Sequence, residues 1–238
     1  MKKYLIATAS AALLALLSGC GTTATFVYPA KMDDMIRIAD SPLADKTVTV
    51  AAFEDYRGAA NSQSAWLIMI PLVPYDWVEY HRPEATVMFP TIYSFDFKPT
   101  RDLAKAAALS LRRSGMFSEV FLEGERSDTD LVLHGAIKST KYTGVSTTYG
   151  LSFIGACFWI FGLPSGNSEN ELTIYFNLTR GKKIVWEYTY SGKKKFWQGY
   201  YSRWGHDVSA YPELMQNAMN EAIADMNKTL KNRPGLLK

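Results

Sequence analysis

The patterning of this 238-residue chain predicts an α+β fold, a mixed or antiparallel sheet of about five strands with two helices packed on one face. Three observations carry that expectation. Leu172, Ile174, Phe176 and Leu178 alternate with polar residues, as do Ile184, Trp186, Tyr188 and Tyr190, and Arg180-Gly181-Lys182 joins the two runs as a hairpin turn would. Over residues 100–114, Leu103, Ala106, Ala107, Ser110, Leu111 and Ser114 fall on one narrow helical face. Residues 212–231 repeat the helical period with Leu214, Ala218, Ala222, Ile223, Met226 and Leu230.

At the N-terminus, Lys2 and Lys3 precede an apolar stretch that is shorter than the roughly 20 residues a bilayer core requires, so residues 1–19 read as a secretory signal. Leu17-Ser18-Gly19-Cys20 resembles the lipobox of bacterial lipoproteins, which implies that Cys20 carries a diacylglycerol and becomes the first residue of the mature chain. Gly21, in place of an aspartate, favours the outer membrane by the same resemblance. Several acyl chains hold firmly, since each buried CH₂ contributes roughly 0.8 kcal/mol.

Removing Lys2 and Lys3 with the signal lowers the formal charge from +3 by two, to +1, and so near-neutral a chain indicates neither nucleic-acid binding nor a polyanionic substrate. With Cys20 acylated, Cys157 is the remaining thiol, which excludes an intramolecular disulfide and a cysteine metal site and reads as a small buried apolar residue.

In chain order, residues 20–45 read as a lipidated tether and 46–231 as a single α+β domain, with apolar insertions near 57–92 and 149–166. Residues 46–53 alternate Val48, Val50 and Ala52 against Thr47, Thr49 and Ala51, a half-buried strand. Residues 54–90 hold a nine-residue apolar run with two prolines at 66–74, which suits an insertion loop better than a central strand. The helix at 100–114 has Thr100 as a candidate cap, Asp102 in its first turn, Arg112 and Arg113 in its last and Gly115 as its stop. Residues 117–122 and 129–142 read as strands, the hairpin follows, and the final helix has Pro212 in its first turn ahead of a tail at 232–238.

Catalytic chemistry is not indicated. His81, His134 and His206 are scattered without metal spacing, and no P-loop, dinucleotide fingerprint or Gly-x-Ser-x-Gly elbow is present. The expectation is no metal, no cofactor and no enzyme, with a hydrolase kept as a minor alternative.

Two segments stand out. Residues 151–163 are thirteen nearly continuous apolar residues carrying Phe153, Phe158, Trp159 and Phe161, and they suit a buried core hairpin, an intermolecular contact or a wedge in the membrane interface. Residues 193–204 interleave lysines with Trp197 and Trp204. That pattern fits a strand continuation with inward aromatics and lysines blunting its edge, with a headgroup boundary as the alternative. Trp66, Phe153, Phe158, Trp159, Phe161, Trp197 and Trp204 are therefore the candidate membrane or partner contacts.

The stretches beginning Thr47-Val-Thr-Val-Ala-Ala-Phe, Asp102-Leu-Ala-Lys-Ala-Ala-Ala-Leu and Asp128-Thr-Asp-Leu-Val-Leu-His-Gly are similar to a group of bacterial envelope lipoproteins. These are built on a domain like the N-terminal one of the Tol–Pal translocation protein. The group includes the curli-secretion channel lipoprotein, the activators of penicillin-binding proteins and the auxiliary lipoproteins of ABC-type lipid transporters. The resemblance implies a non-enzymatic assembly or adaptor subunit on the periplasmic face of the outer membrane, with a lipid-handling transport auxiliary as the alternative. Its partners would be the outer membrane, through the anchor, and other envelope proteins or further copies of the same chain.

Overall fold

The computed structural model describes residues 23–85, 94–202, 208 and 210–237; the signal, Cys20, Trp204 and His206 lie outside the described residues. The strands are β1 (Thr23–Thr25), β2 (Thr47–Val50), β3 (Glu54–Asp55), β4 (Asn61–Gln63), β5 (Tyr75–Tyr80), β6 (Ser94–Asp96), β7 (Glu119–Leu122), β8 (Leu131–Ser139), β9 (Tyr142–Thr147), β10 (Pro164–Arg180) and β11 (Lys183–Gly199). The helices are α1 (Pro99–Ser114), the single-turn α2 (Cys157–Ile160) and α3 (Ala210–Asn232).

Nine strands form one mixed sheet in the order β4-β5-β9-β10-β8-β2-β7, with β11 on β10 and β3 on β8; β1 and β6 form a separate parallel pair. The α+β class holds, but nine strands replace the expected five and α2 adds a third helix. The extra strands come from two sources. β3, β4 and β5 lie inside the stretch read as an insertion loop, where short runs between prolines and glycines give no sustained period. The fourth is β9, which pairs with a part of the hairpin that extends beyond its hydrophobic alternation. β10 begins at Pro164 rather than near 171, and its inward positions there are Ser165, Ser168 and Asn170, buried but polar.

β10 therefore serves two half-sheets. Over Thr173–Thr179 it pairs with β8, which leads through β2 to β7, while over Gly166–Asn170 it pairs with β9, which leads to β5 and β4. The first half is the body. Its face is covered by α1 and α3, and the core of Val48, Val50, Leu103, Leu111, Leu131, Leu133, Ile174, Phe176, Leu214 and Met226 is sealed between sheet and helices. Ala104, Ala106, Ala107 and Ser110 are buried on α1, so the small-residue face lets that helix lie close to its neighbours. Lys98, not Thr100, occupies the cap. Pro99 takes the first helical position, and the Asp102 carboxylate reaches back to accept the Lys98 N–H at 2.7 Å. Gly115 ends the helix in the left-handed region (φ 69°), as its place in the sequence suggested.

The expected tether is, from Thr23 on, a strap across the helices. The Phe26 ring stacks on Phe97, the Tyr28 hydroxyl meets Ser110, and burial pushes the Tyr28 phenol up to about 12. The Gln216 amide brackets the backbone of Lys31, Asn220 binds the Ile36 N–H and the Asp34 carbonyl, and the Ile38 N–H donates to the Ser114 carbonyl. Leu43 is fully buried in the core. In the tail, a 3₁₀ turn at Pro234–Leu237 brings Leu236 against the core.

Candidate functional site: an uncharged aromatic tip

β5, β9, β10 and β11 extend past the helices as a ribbon. Registers Tyr75↔Thr147, Asp76↔Ser146, Gly166↔Ser146 and Gly166↔Gln198 align their ends. The three stretches of chain that build this end, residues 62–75, 142–168 and 196–202, contain no Asp, Glu, Lys, Arg or His. Behind it stand three ion pairs, Lys141 with Glu79 at 2.9 Å, Lys193 with Glu171 at 2.9 Å, and Lys194 with Glu213.

The two apolar insertions meet here. One folds as a 3₁₀ turn at Ala65–Met69, the other as a 3₁₀ turn at Ser152–Ala156 that runs into α2. The Ser152 hydroxyl donates to the Met69 carbonyl at 2.9 Å, the Leu72 N–H to the Gly150 carbonyl at 2.8 Å, and the Thr148 N–H to the Pro74 carbonyl at 2.9 Å. From the third stretch, the Tyr201 hydroxyl donates to the Ile160 carbonyl at 2.7 Å.

The segments singled out in the sequence meet at this end, and their side chains differ in exposure. Trp66 and Phe153 are each 64% exposed and Phe161 79%, all on the tip, and Phe158 is partly exposed with its ring edge-on to Tyr149. Trp159 is the correction. It is 4% exposed, and its indole N–H donates to the Thr147 carbonyl at 2.9 Å, so it fastens α2 to the ribbon instead of presenting a contact. Cys157, expected to be buried, is exposed on the same turn. Trp197 lies on a continuation of β11 in which Phe196 and Gln198 point inward and Trp197 outward, combining features of both readings of that segment. Through Asn167 and Val145 it stands level with Trp77 on the same exposed face. Tyr75, Trp77, Tyr149, Tyr200 and Tyr201 were not among the candidates; all are exposed around the base of the tip, and the signal for all but Trp77 was their place inside the charge-free stretches.

One carboxylate is buried at the tip's base. Asp76 accepts the Ser146 N–H at 3.2 Å on one oxygen, and its other oxygen has no partner. Burial holds this carboxyl above the usual aspartate range despite that hydrogen bond.

Elsewhere, a groove of about 500 Å³ lies at the carboxyl ends of β2 and β7 beside α1, floored by Val50, Ala52, Ala104 and Leu122 and rimmed by Arg101, Lys105, Glu123 and Glu125. This is where parallel strands commonly present ligands. Here Glu123 and Glu125 are engaged by the Ala52 and Leu122 N–H groups, so the nearby main-chain donors are turned inward to the protein's own side chains. Among the described residues, His81 lies beside Glu79 and His134 beside Thr179, and no His, Cys, Asp or Glu group has metal-binding geometry. No helix of the described residues is long and apolar enough to cross a membrane.

Scanning protein-family models yields no match to the chain, and a search of curated proteins yields none either. Among solved structures, a Xanthomonas campestris protein described by the family model DUF330 is 13% identical, with 90% of this chain and 99% of that one covered and a TM-score of 0.51; the two share a fold. A PelC variant from Paraburkholderia phytofirmans, solved as a dodecamer, is 15% identical over 74% of this chain and 92% of that one, with a TM-score of 0.33. An uncharacterized protein is 6% identical over 88% and 99%, with a TM-score of 0.35.

Proposed function

We propose that this chain is a lipid-anchored protein of the bacterial outer membrane, facing the periplasm and held by Cys20, that acts without catalysis as an assembly or adaptor subunit and engages other envelope components through its tip. The observation that carries the reading is the convergence of residues 64–75 and 147–164 into one exposed, charge-free surface, because soluble domains seldom present contiguous apolar patches of this kind without a partner. The lipobox at 17–20 supports the anchor. The resemblance to Tol–Pal-type envelope lipoproteins supports the adaptor role.

Two experiments test it. Cys20→Ser should leave an unprocessed precursor or a mature chain without the mass of the lipid; a variant processed to the same lipid-bearing mass as the wild type refutes the anchor. A photo-crosslinking residue at Phe161 should capture envelope components in intact cells, whereas one at Lys182, in the hairpin turn at the other end of β10 and β11, should not. Equal yields from both positions refute the tip as the contact.

A further inference from the structure

Resting on that reading, we propose that the tip's occupant is the lipid bilayer itself: the tip sits in the interfacial layer of the anchoring membrane and forms a second, reversible attachment beside the lipid on Cys20.

Four observations on the tip agree. Its exposed side chains are those a membrane interface accepts, with Trp66, Leu72, Phe153, Ile154 and Phe161 outermost and Tyr75, Tyr149, Trp197, Tyr200 and Tyr201 around the base, the aromatic belt position. Charge is missing from all three contributing stretches; behind the belt come the buried Asp76 and the ion pairs of Lys141, Lys193 and Lys194. A protein interface tolerates a polar rim inside its contact, while a hydrocarbon boundary does not.

The turns of the tip also close main-chain hydrogen bonds within themselves, which lowers the cost of placing them against lipid. Leu67 N–H donates to the Ser64 carbonyl, Ile70 to Leu67, Val73 to Ile70, Leu151 to Thr148, Gly162 to Trp159 and Leu163 to Phe158, all between 2.8 and 3.3 Å. Lastly, every non-glycine residue with positive φ among the described residues, Leu72, Tyr149 and Ser152, lies in the tip. Strained backbone of this sort persists where a surface shape is being held.

The path of the strap selects the membrane over another occupant. Read backwards from Ile38 at the end of α1, the chain passes Asn220, then Gln216, then Ser110, then Phe97, and reaches Ser94 at Thr23. It thus climbs both helices toward their N-terminal ends. α3 runs antiparallel to β11, placing Asp225 at Trp186, Glu221 at Tyr188 and Glu213 at Lys194. The N-terminal end of the helices is therefore the end from which β11 continues into the tip, and Thr23, three residues after Cys20 in the sequence, lies at that end of the strap. An anchored chain so arranged brings the tip to the surface its anchor enters.

Cys157 is exposed on the tip, and acylation occupies the thiol of Cys20, so the lipidated full chain offers one site for an environment-sensitive fluorophore. In phosphatidylcholine vesicles free of other protein, the label at Cys157 should shift to shorter wavelength and lose at least half its emission to lipids carrying a nitroxide on the acyl chain. The Phe153→Asp, Phe161→Asp double variant, with unchanged circular dichroism and anchor, should abolish both effects. A label that stays water-exposed in these vesicles overturns the proposal. If it is then shielded in native envelope membranes, the occupant is a protein; if shielded in neither, the tip-contact reading falls as well. Mass measurement of Cys20 tests the anchor separately, and an unmodified Cys20 moves the same assay to the Cys20→Ser chain with the same two outcomes.

Discussion

The Ser152 hydroxyl donates to the Met69 carbonyl at 2.9 Å across 83 residues of chain, and this bond closes the two insertions into one tip. Ser152 is itself buried. Ser152→Ala should leave the carbonyl without its protein donor and cost about 1 kcal/mol of local stability, the usual net contribution of one hydrogen bond. Faster amide hydrogen exchange at Leu67 and Ile70, with the body's protection unchanged, is the expected result; uniform exchange across the chain would mean the tip does not open independently.

Gly155 lies against the Thr148 main chain so closely that a Cβ there would come within 1.8 Å of the carbonyl oxygen. Backbone cannot yield as a flexible side chain can, so Gly155→Ala should displace the 3₁₀ turn and pull Trp159 off the Thr147 carbonyl. Trp159 is buried but stands apart from the central core cluster. Its emission should therefore shift to longer wavelength while the global melting temperature moves by only a few degrees. A cooperative loss of the whole fold would place this segment in the core after all.

Arg57 is the buried hub of the junction between body and ribbon. Its guanidinium meets Asp55 at 2.9 Å, Glu84 at 2.6 Å and the Thr140 hydroxyl at 2.7 Å. Arg57→Met strands two carboxylates and should cost about 3 kcal/mol, the low end for a broken buried pair, because Asp55 and Glu84 keep some access to water. The pH dependence follows from Asp55, whose carboxyl is held below the usual 3.8 chiefly by the Arg57 hydrogen bond. A depressed carboxylate contributes stability that is complete above the unfolded value and is lost as pH falls through the folded one. The wild-type chain should thus lose stability below about pH 4 more steeply than Arg57→Met, as compared by denaturant unfolding at pH 3 and 6.

Asp76 has the opposite sign. Burial raises its carboxyl above 3.8, so the unfolded chain releases this proton first, and the group destabilises the fold increasingly as pH rises past 3.8 until the folded carboxyl also ionises. Asp76→Asn removes the titration while keeping an oxygen to accept the Ser146 N–H. Stability of the variant relative to wild type should increase between pH 4 and pH 7; a constant difference over that range would show that Asp76 is not the titrating group.

How much of this could be read from sequence differs by element for physical reasons. α1 was legible because its period, its arginines and Gly115 all agree, and the hairpin was legible where Leu172–Leu178 alternate against a hydrophobic core. β9 and the first part of β10 were not, since their inward residues are Ser146, Ser165, Ser168 and Asn170, which alternate without hydrophobic contrast. The strap was read as a tether because its apolar anchors, Phe26, Tyr28, Ile36, Ile38 and Leu43, follow no strand or helix period, and its main-chain bonds to Gln216 and Asn220 leave no pattern in residues 23–45. Both apolar insertions were visible, but their meeting was not. The bonds joining them end on the carbonyls of Met69, Gly150 and Pro74, and a carbonyl has no side-chain signature.

Leu72 separates strain from use. It is 88% exposed, adopts φ 69°, and donates its N–H to the Gly150 carbonyl. A side chain in the left-handed region costs roughly 1–2 kcal/mol, so Leu72→Gly relieves that strain, while the added freedom of glycine in the unfolded chain returns about 0.5–1 kcal/mol. Stability should therefore rise slightly, by about 1 kcal/mol at most. Membrane attachment should move the other way, because burying a leucine side chain contributes roughly 1.5–3 kcal/mol and about 1.4 kcal/mol is a factor of ten in partitioning. Measured on a chain that begins at residue 20 and carries Cys20→Ser, so that neither signal nor lipid contributes, Leu72→Gly should weaken vesicle binding at least tenfold without lowering the melting temperature. Unchanged binding would show that the Leu72 side chain contributes nothing at the membrane, and a lowered melting temperature would show that it packs within the fold instead.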